Sequence, residues 1–225
     1  LPVIASGRMH QATTRFADML GLQGPIISYN GAMIRDHPSN ETWHHLTIPP
    51  EPATAIIRFC TEHGYHLNYY LNDHLYVAER GKWADLYIRH TGSPMEVAGD
   101  LRQFEGTSPT KMILIDAPEV ADRLYGVMRQ RYEDVMYITR TNPEYLEFMH
   151  PDANKGNALR ILSERLGIPR SQVLAFGDGG NDLPMIKLAG FSVAMGSGKE
   201  AVKQAASWIA PPFEKDGFAV AVERI

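Results

Sequence analysis

The chain has 225 residues, 44% apolar and 21% charged, enough for a sizeable core in one large domain or two smaller ones. A net charge of −4 gives no global attraction to nucleic acid or anionic lipid, so neither is an expected partner and any anionic ligand needs local positive groups. The single cysteine, Cys60, excludes an internal disulfide and a CxxC metal knuckle. It suits a reducing cytosol and a buried structural place. No run nears the ~18 apolar residues that cross a bilayer, and the first residues show no basic-then-apolar leader. The expected location is cytoplasmic.

In chain order, Leu1-Pro2-Val3-Ile4-Ala5 reads as the end of a buried strand. A helix over 9–20 follows, with Phe16, Met19 and Leu20 at helical spacing, and then a short strand over 25–28. Strand, helix, strand is the rhythm of a parallel sheet. The middle differs. Strands over 32–35 and 42–48 face each other, and strands over 65–71 and 75–78 flank the hairpin link Asn72-Asp73-His74. A strand over 111–115, a helix over 119–131 and strands over 135–139 and 145–149 complete an α+β pattern. The last third alternates again, with helices over 154–166, 182–188, near 199–204 and from 217. Its strands lie over 173–176, 191–194 and 208–210. The expected fold is α/β, a doubly wound Rossmann-like parallel sheet with an inserted α+β domain. The expected division is a discontinuous core, 1–35 and 148–225, around an insert over 36–147.

The run Gly177-Asp178-Gly179-Gly180-Asn181-Asp182 follows an apolar strand, and in open α/β sheets ligands bind beyond the carboxyl ends of strands. Two carboxylates four residues apart can turn onto one small site, and magnesium prefers such hard oxygen donors. The same run also reads as a glycine-rich turn whose Asn and Asp serve as caps. Ser6-Gly7-Arg8, between a strand end and a helix, supplies a hydroxyl and free N–H groups for an anion, or simply a serine cap. Lys155 opens a helix against its macrodipole, which an anion there would relieve; alone it reads as a surface lysine. Asn30-Gly31 alone reads as a turn. The nine histidines show no zinc spacing and read as surface or cap residues, and no Walker-type or dinucleotide-binding glycine motif is present.

In this order the segments resemble one family. Ala5-Ser6-Gly7-Arg8 looks like its second motif, Lys155 its third, and Gly177 to Asp182 its fourth. Ile27-Ser28-Tyr29-Asn30-Gly31-Ala32 resembles the entry to its cap, and Val193-Ala194-Met195-Gly196 with Asp216-Gly217-Phe218-Ala219 its tail. The chain is similar to the Cof-type phosphatase branch of the haloacid dehalogenase-like hydrolases, whose C2B-type cap sits between motifs two and three. The resemblance implies a magnesium-dependent phosphatase for small phosphomonoesters, sugar phosphates foremost, working through an aspartyl-phosphate intermediate. Asp178 would bind Mg2+ directly and Asp182 would hold that site through a water or the second sphere. Ser6 and Gly7 would grip phosphoryl oxygens, Asn181 would add a donor and Lys155 would neutralise charge. Arg8 and Asn30 would lie nearer the substrate. The implied partner is a small phosphorylated metabolite, and the expected assembly is a monomer or weak homodimer. Alternatives on the same scaffold are a phosphohexomutase and a non-catalytic phosphate- or sugar-phosphate-binding protein.

Family members carry an aspartate nucleophile in Asp-x-Asp-Gly-Thr on the central first strand. No Asp-x-Asp occurs in these 225 residues. The resemblance therefore implies a nucleophile and a central strand upstream of Leu1. Buried backbone groups left unpaired by its absence would cost roughly 1–3 kcal/mol each, a heavy sum against ~5–15 kcal/mol of total stability. The expectation is a longer protein, with the 225 residues alone inactive and poorly folded.

Overall fold

In the computed structural model, which describes residues 1–224, the chain divides into two units, Leu1–Ala153 and Asn154–Ile225. Each is built on its own sheets.

In the first unit, helix α1 (His10–Met19) links residues 1–6 to strand β1 (Gly24–Ser28). The two run parallel, joined by a bridge between Ala5 and Ile27 and by N–H donation from Ser6 to Ile27 O at 2.8 Å and from Ile27 to Ile4 O at 2.9 Å. The expected buried strand at residues 1–5 is corrected here. Leu1 is 70% exposed and, among the described residues, the segment's sheet pairing is that single bridge to β1. Strand β1 pairs antiparallel with β2 (Met33–His37), and β2 with β3 (Thr42–His45).

Helix α2 (Pro50–His63) starts on a proline, which costs nothing in the first turn, and ends on Gly64 in the left-handed region. Next come β4 (His66–Leu71), β5 (His74–Val77), α3 (Lys82–Thr91), β6 (Glu96–Val97), β7 (Lys111–Ile115), α4 (Pro118–Tyr132), β8 (Tyr137–Thr139) and β9 (Tyr145–Met149). These six strands form one sheet in the order β6-β5-β4-β7-β9-β8, antiparallel except for β5 with β6. Strand alternation sorts the residues. Leu67, Tyr69, Met112, Leu114, Leu146 and Phe148 pack with Ile56 and Cys60 of α2 and Leu124 and Met128 of α4. The other face gives Tyr70, Ile113, Ile115, Tyr145 and Met149 to a second core with Tyr87 of α3, Met9, Tyr29 and Met33. Cys60 is buried as expected, and burial pushes its thiol well up, so it is inert.

The second unit alternates without exception. Helix α5 (Lys155–Arg165), β10 (Leu174–Gly177), α6 (Leu183–Leu188), β11 (Phe191–Ala194), α7 (Glu200–Ala205), β12 (Trp208–Ile209) and α8 (Gly217–Arg224) follow in turn. The three strands are parallel in the order β10-β11-β12, so β10 is a sheet edge. The α/β class read from the sequence is thus the architecture found.

Helices α5 and α6 meet at Gly156. A Cβ there would come within 2.8 Å of Pro184 backbone and side-chain atoms. Gly156→Ala is therefore expected to destabilise by roughly 1–3 kcal/mol through overpacking, outweighing the ~1 kcal/mol that alanine gains in helix propensity. Urea denaturation of the variant checks this; a stabilised variant would show that the contact yields.

Candidate active site

Chemistry-bearing residues gather in each unit at strand ends. In the second unit β10 delivers Gly177, and the chain turns through Asp178–Gly179 into a short 3-10 turn before α6. Asp182 is only 4% exposed and faces back on its own loop. Its Oδ2 accepts the N–H groups of Asp178 and Gly179, each at 2.9 Å, and its Oδ1 forms a short ion pair with Lys155 Nζ. Lys155 is itself buried at the first turn of α5, where the Asn154 side chain caps the helix by accepting the Asn157 N–H at 2.8 Å. Burial acts to raise the Asp182 carboxyl, but the charge and hydrogen bond of Lys155 outweigh it and hold the group below the usual carboxylate range. It stays an anion. Gly177 is required, since a Cβ there would lie 2.5 Å from Asp182 Cβ.

Asp178 and Asn181 are exposed on the same loop. Gly198 backs the loop, with space for a Cβ only 3.0 Å from Asp178 Cα, and Lys199 donates its N–H to Asp178 O at 2.9 Å. The turn after Val193-Ala194-Met195-Gly196 is therefore a support for the acidic loop. Among the described residues no group of three or more His, Cys, Asp or Glu is arranged around a metal position. Magnesium keeps several waters and takes one or two protein carboxylates. Asp178 offers one accessible carboxylate and so fits such a partial donor set. Asp182 has both oxygens engaged by protein donors and fits the role of orienting the loop.

In the first unit Ser6, Gly7, Arg8 and Asn30 come together as two interlocked turns. Tyr29 donates its N–H to Arg8 O at 2.8 Å and Asn30 donates to Ser6 O at 2.9 Å, while Ser6 Oγ accepts the Arg8 N–H at 3.1 Å. A Cβ on Gly7 would sit 2.7 Å from Asn30 Oδ1, so any larger residue would have to displace the Asn30 side chain. Tyr29 and Asn30 both hold left-handed φ, 51° and 56°. Asparagine tolerates this and tyrosine does so at a cost of about 1–3 kcal/mol. Arg8 is tethered within the first unit. Its guanidinium donates to Thr91 O at 2.5 Å, at the C-terminus of α3, and lies over the Phe16 ring.

Two features escaped the sequence reading. His10, expected among surface or cap histidines, is 2% exposed, and burial first of all pushes it down to about 4, leaving a neutral ring. Asp73 was read only as part of a hairpin link and is buried; no local pattern marks a turn aspartate as a distant acceptor.

A parallel α/β unit carrying a buried lysine–carboxylate pair and an exposed carboxylate at one strand end has the frame of a hydrolase for an anionic ester. The family model for haloacid dehalogenase-like hydrolases matches residues 1–222, and the chain belongs to that family. It is 27% identical over 222 residues to the Bacillus subtilis 5-amino-6-(5-phospho-D-ribitylamino)uracil phosphatase YitU, covering 96% of this chain and 81% of the relative. A crystal structure of a Thermotoga maritima protein superposes with a TM-score of 0.92 at 33% identity, covering 99% of this chain and 84% of that one. A haloacid dehalogenase-like hydrolase from Bacteroides thetaiotaomicron gives 0.91 at 27% identity, covering 99% and 85%. The chain is a phosphatase of this family, a phosphoric monoester hydrolase by class.

Proposed function

We propose that the intact protein is a magnesium-dependent phosphatase of small phosphomonoesters, sugar phosphates foremost. Its nucleophilic aspartate would lie on a segment preceding residue 1 and would pass through an aspartyl-phosphate intermediate. The observation that carries this reading is the Lys155–Asp182 pair at the end of β10, beside the exposed Asp178. Lys155 would place its positive charge on the transferring phosphoryl group, while Ser6 and the Gly7 N–H would hold the phosphoryl oxygens. Asn181 would add a donor, and Asn30 and Arg8 would shape the substrate side. Phosphoryl transfer asks chiefly for such positioning and charge stabilisation. Asp178 would hold the magnesium ion, with Asp182 as its orienting neighbour; when bound, the ion supplies neutralisation of the phosphoryl charge.

Two observations support an added strand. No Asp-x-Asp occurs in the sequence, and β10 leaves one edge of its parallel sheet open, with Leu174 40% exposed beside it. Within the reading, residues 1–35 and 148–225 would form the core domain and 36–147 the cap. The cap would exclude water and select the leaving group. YitU is named for a phosphorylated ribityl compound, which supports a small polyol- or sugar-type substrate. The protein would work in the cytoplasm as a monomer or weak homodimer.

The full-length protein is expected to hydrolyse p-nitrophenyl phosphate only with Mg2+ present and to lose that activity in chelator. Asp178→Asn should remove most of it, and full activity in this variant would overturn the metal assignment. With a hexose phosphate, release of inorganic phosphate supports the hydrolase, whereas an isomerised sugar phosphate would replace it with a mutase.

A further inference from the structure

The two interlocked turns of the first unit both hang on one buried carboxylate far away in sequence. Asp73 occupies the two-residue connection between β4 and β5, where Asn72 and Asp73 take φ of 52° and 64°, and it is 3% exposed. Its Oδ1 accepts the His10 N–H at 3.0 Å and the Tyr29 hydroxyl at 2.8 Å. Its Oδ2 accepts the Gln11 N–H at 3.2 Å and lies 3.6 Å from the Arg35 guanidinium. His10 and Gln11 open α1, whose N-cap, Met9, offers no side-chain acceptor. The carboxylate therefore caps α1 from another element, meeting two orphan donors and the positive end of the helix.

We propose that Asp73 is a positioning residue for phosphoryl binding: by fixing the start of α1 and the Tyr29 hydroxyl, it sets the places of the Gly7 N–H and the Asn30 side chain. The inference rests on the phosphatase reading above. Its geometry is a closed loop of constraints. The Ser6-Gly7-Arg8 turn is fastened at one end to β1 and at the other to α1, whose first turn Asp73 holds. The Tyr29–Asn30 turn is bonded to Arg8 and Ser6 through its backbone and to Asp73 through the Tyr29 side chain. A tyrosine stays in the left-handed region only when its surroundings over-determine it. Here the ring meets Tyr70 edge-on at 5.7 Å and the hydroxyl is tied to Asp73. Burial, and after it the Asp73 charge, pushes the Tyr29 phenol well up, so it remains an O–H donor.

Asp73→Asn keeps the volume but turns one acceptor oxygen into an NH2 group that must face donors. In the full-length protein the KM for p-nitrophenyl phosphate and the competitive Ki of inorganic phosphate are properties of each folded molecule, independent of how many fold. Both are expected to rise about tenfold in Asp73→Asn and about threefold in Tyr29→Phe, which removes a single contact. Amide hydrogen exchange should accelerate at His10, Gln11, Tyr29 and Asn30 and stay unchanged in β7. Unchanged KM and Ki with a lower kcat and lower melting temperature would reduce Asp73 to a fold-holding residue and overturn the inference. If the wild-type protein neither turns over nor binds phosphate, the phosphatase reading falls. In that case selective loss of protection at the four amides shows only that Asp73 holds the turns, and its role in phosphoryl binding is overturned together with the reading.

Discussion

Asp182→Asn is expected to lower kcat by roughly 10²–10³-fold and to destabilise the protein by about 3–5 kcal/mol. The two losses share one cause. Asp182, itself buried with Lys155, joins that lysine to the backbone of the exposed Asp178 and the half-buried Gly179. An asparagine keeps one acceptor, so its NH2 group must confront either the ammonium of Lys155 or two N–H groups. Lys155 is then a buried charge without its partner, and the loop loses the bonds that hold Asp178 in place. Because Lys155 and the backbone donors keep the folded carboxyl below its ordinary value near 3.9, the stabilisation is present above that value. It is lost only as pH falls through the lowered folded value. Acid titration of the unfolding free energy should therefore show an Asp182-dependent loss below about pH 4 that is missing in the variant. A double-mutant cycle with Lys155→Met should be strongly non-additive, since each single change leaves the other charge stranded. Additive losses would mean that the two act apart.

The acidic loop and Lys155 were legible because their signals are local: a glycine-bounded run after an apolar strand, and a lysine at an unfavourable helix end. What the sequence withheld is how Asp182 divides its oxygens, which depends on a residue 27 positions away. Helix α2 is absent from the elements expected in chain order. Its apolar Ala53, Ile56, Ile57 and Cys60 in fact repeat at helical spacing, and Pro50 and Pro52 fall in the first turn. Helix α3, bracketed by Gly81 and Gly92, is likewise absent from the expected elements, although Trp83 and Tyr87 stand at helical spacing. The opening apolar run reads as a buried strand from its composition, whereas burial depends on neighbours, and among the described residues its sheet pairing is the single bridge to β1. Asp73 lay beyond reach for the same reason. Its chemistry comes from α1 and Tyr29, more than 40 residues earlier.

Glu147→Gln is expected to cost about 3–5 kcal/mol as well, in the six-stranded sheet of the first unit. Lys111 and Glu147 sit on neighbouring strands β7 and β9, on the face that also carries Tyr70, and their charged atoms approach to 2.5 Å. Their side chains are 6% and 4% exposed. Thr141 donates its hydroxyl to Glu147, and the Tyr70 and Tyr87 hydroxyls bond to each other nearby at 2.5 Å. Burial alone would lower the Lys111 ammonium, yet the Glu147 charge more than compensates and raises it. The pair's contribution is therefore complete below the unfolded lysine value near 10.4 and is lost as pH rises through the higher folded value. Removing only the carboxylate leaves the ammonium buried and unpaired, so the variant's denaturation midpoint should fall sharply at pH 7. Replacing both, as Lys111→Met with Glu147→Leu, removes the desolvated charges together and should recover most of the loss or exceed it. If the double replacement is as unstable as the single one, the pair contributes more than it costs in desolvation, and the sheet depends on the charges themselves. If it recovers, their value lies in register, since a one-residue slip of β9 would carry Glu147 to the face lined by Phe148 and Leu146 and strand it there.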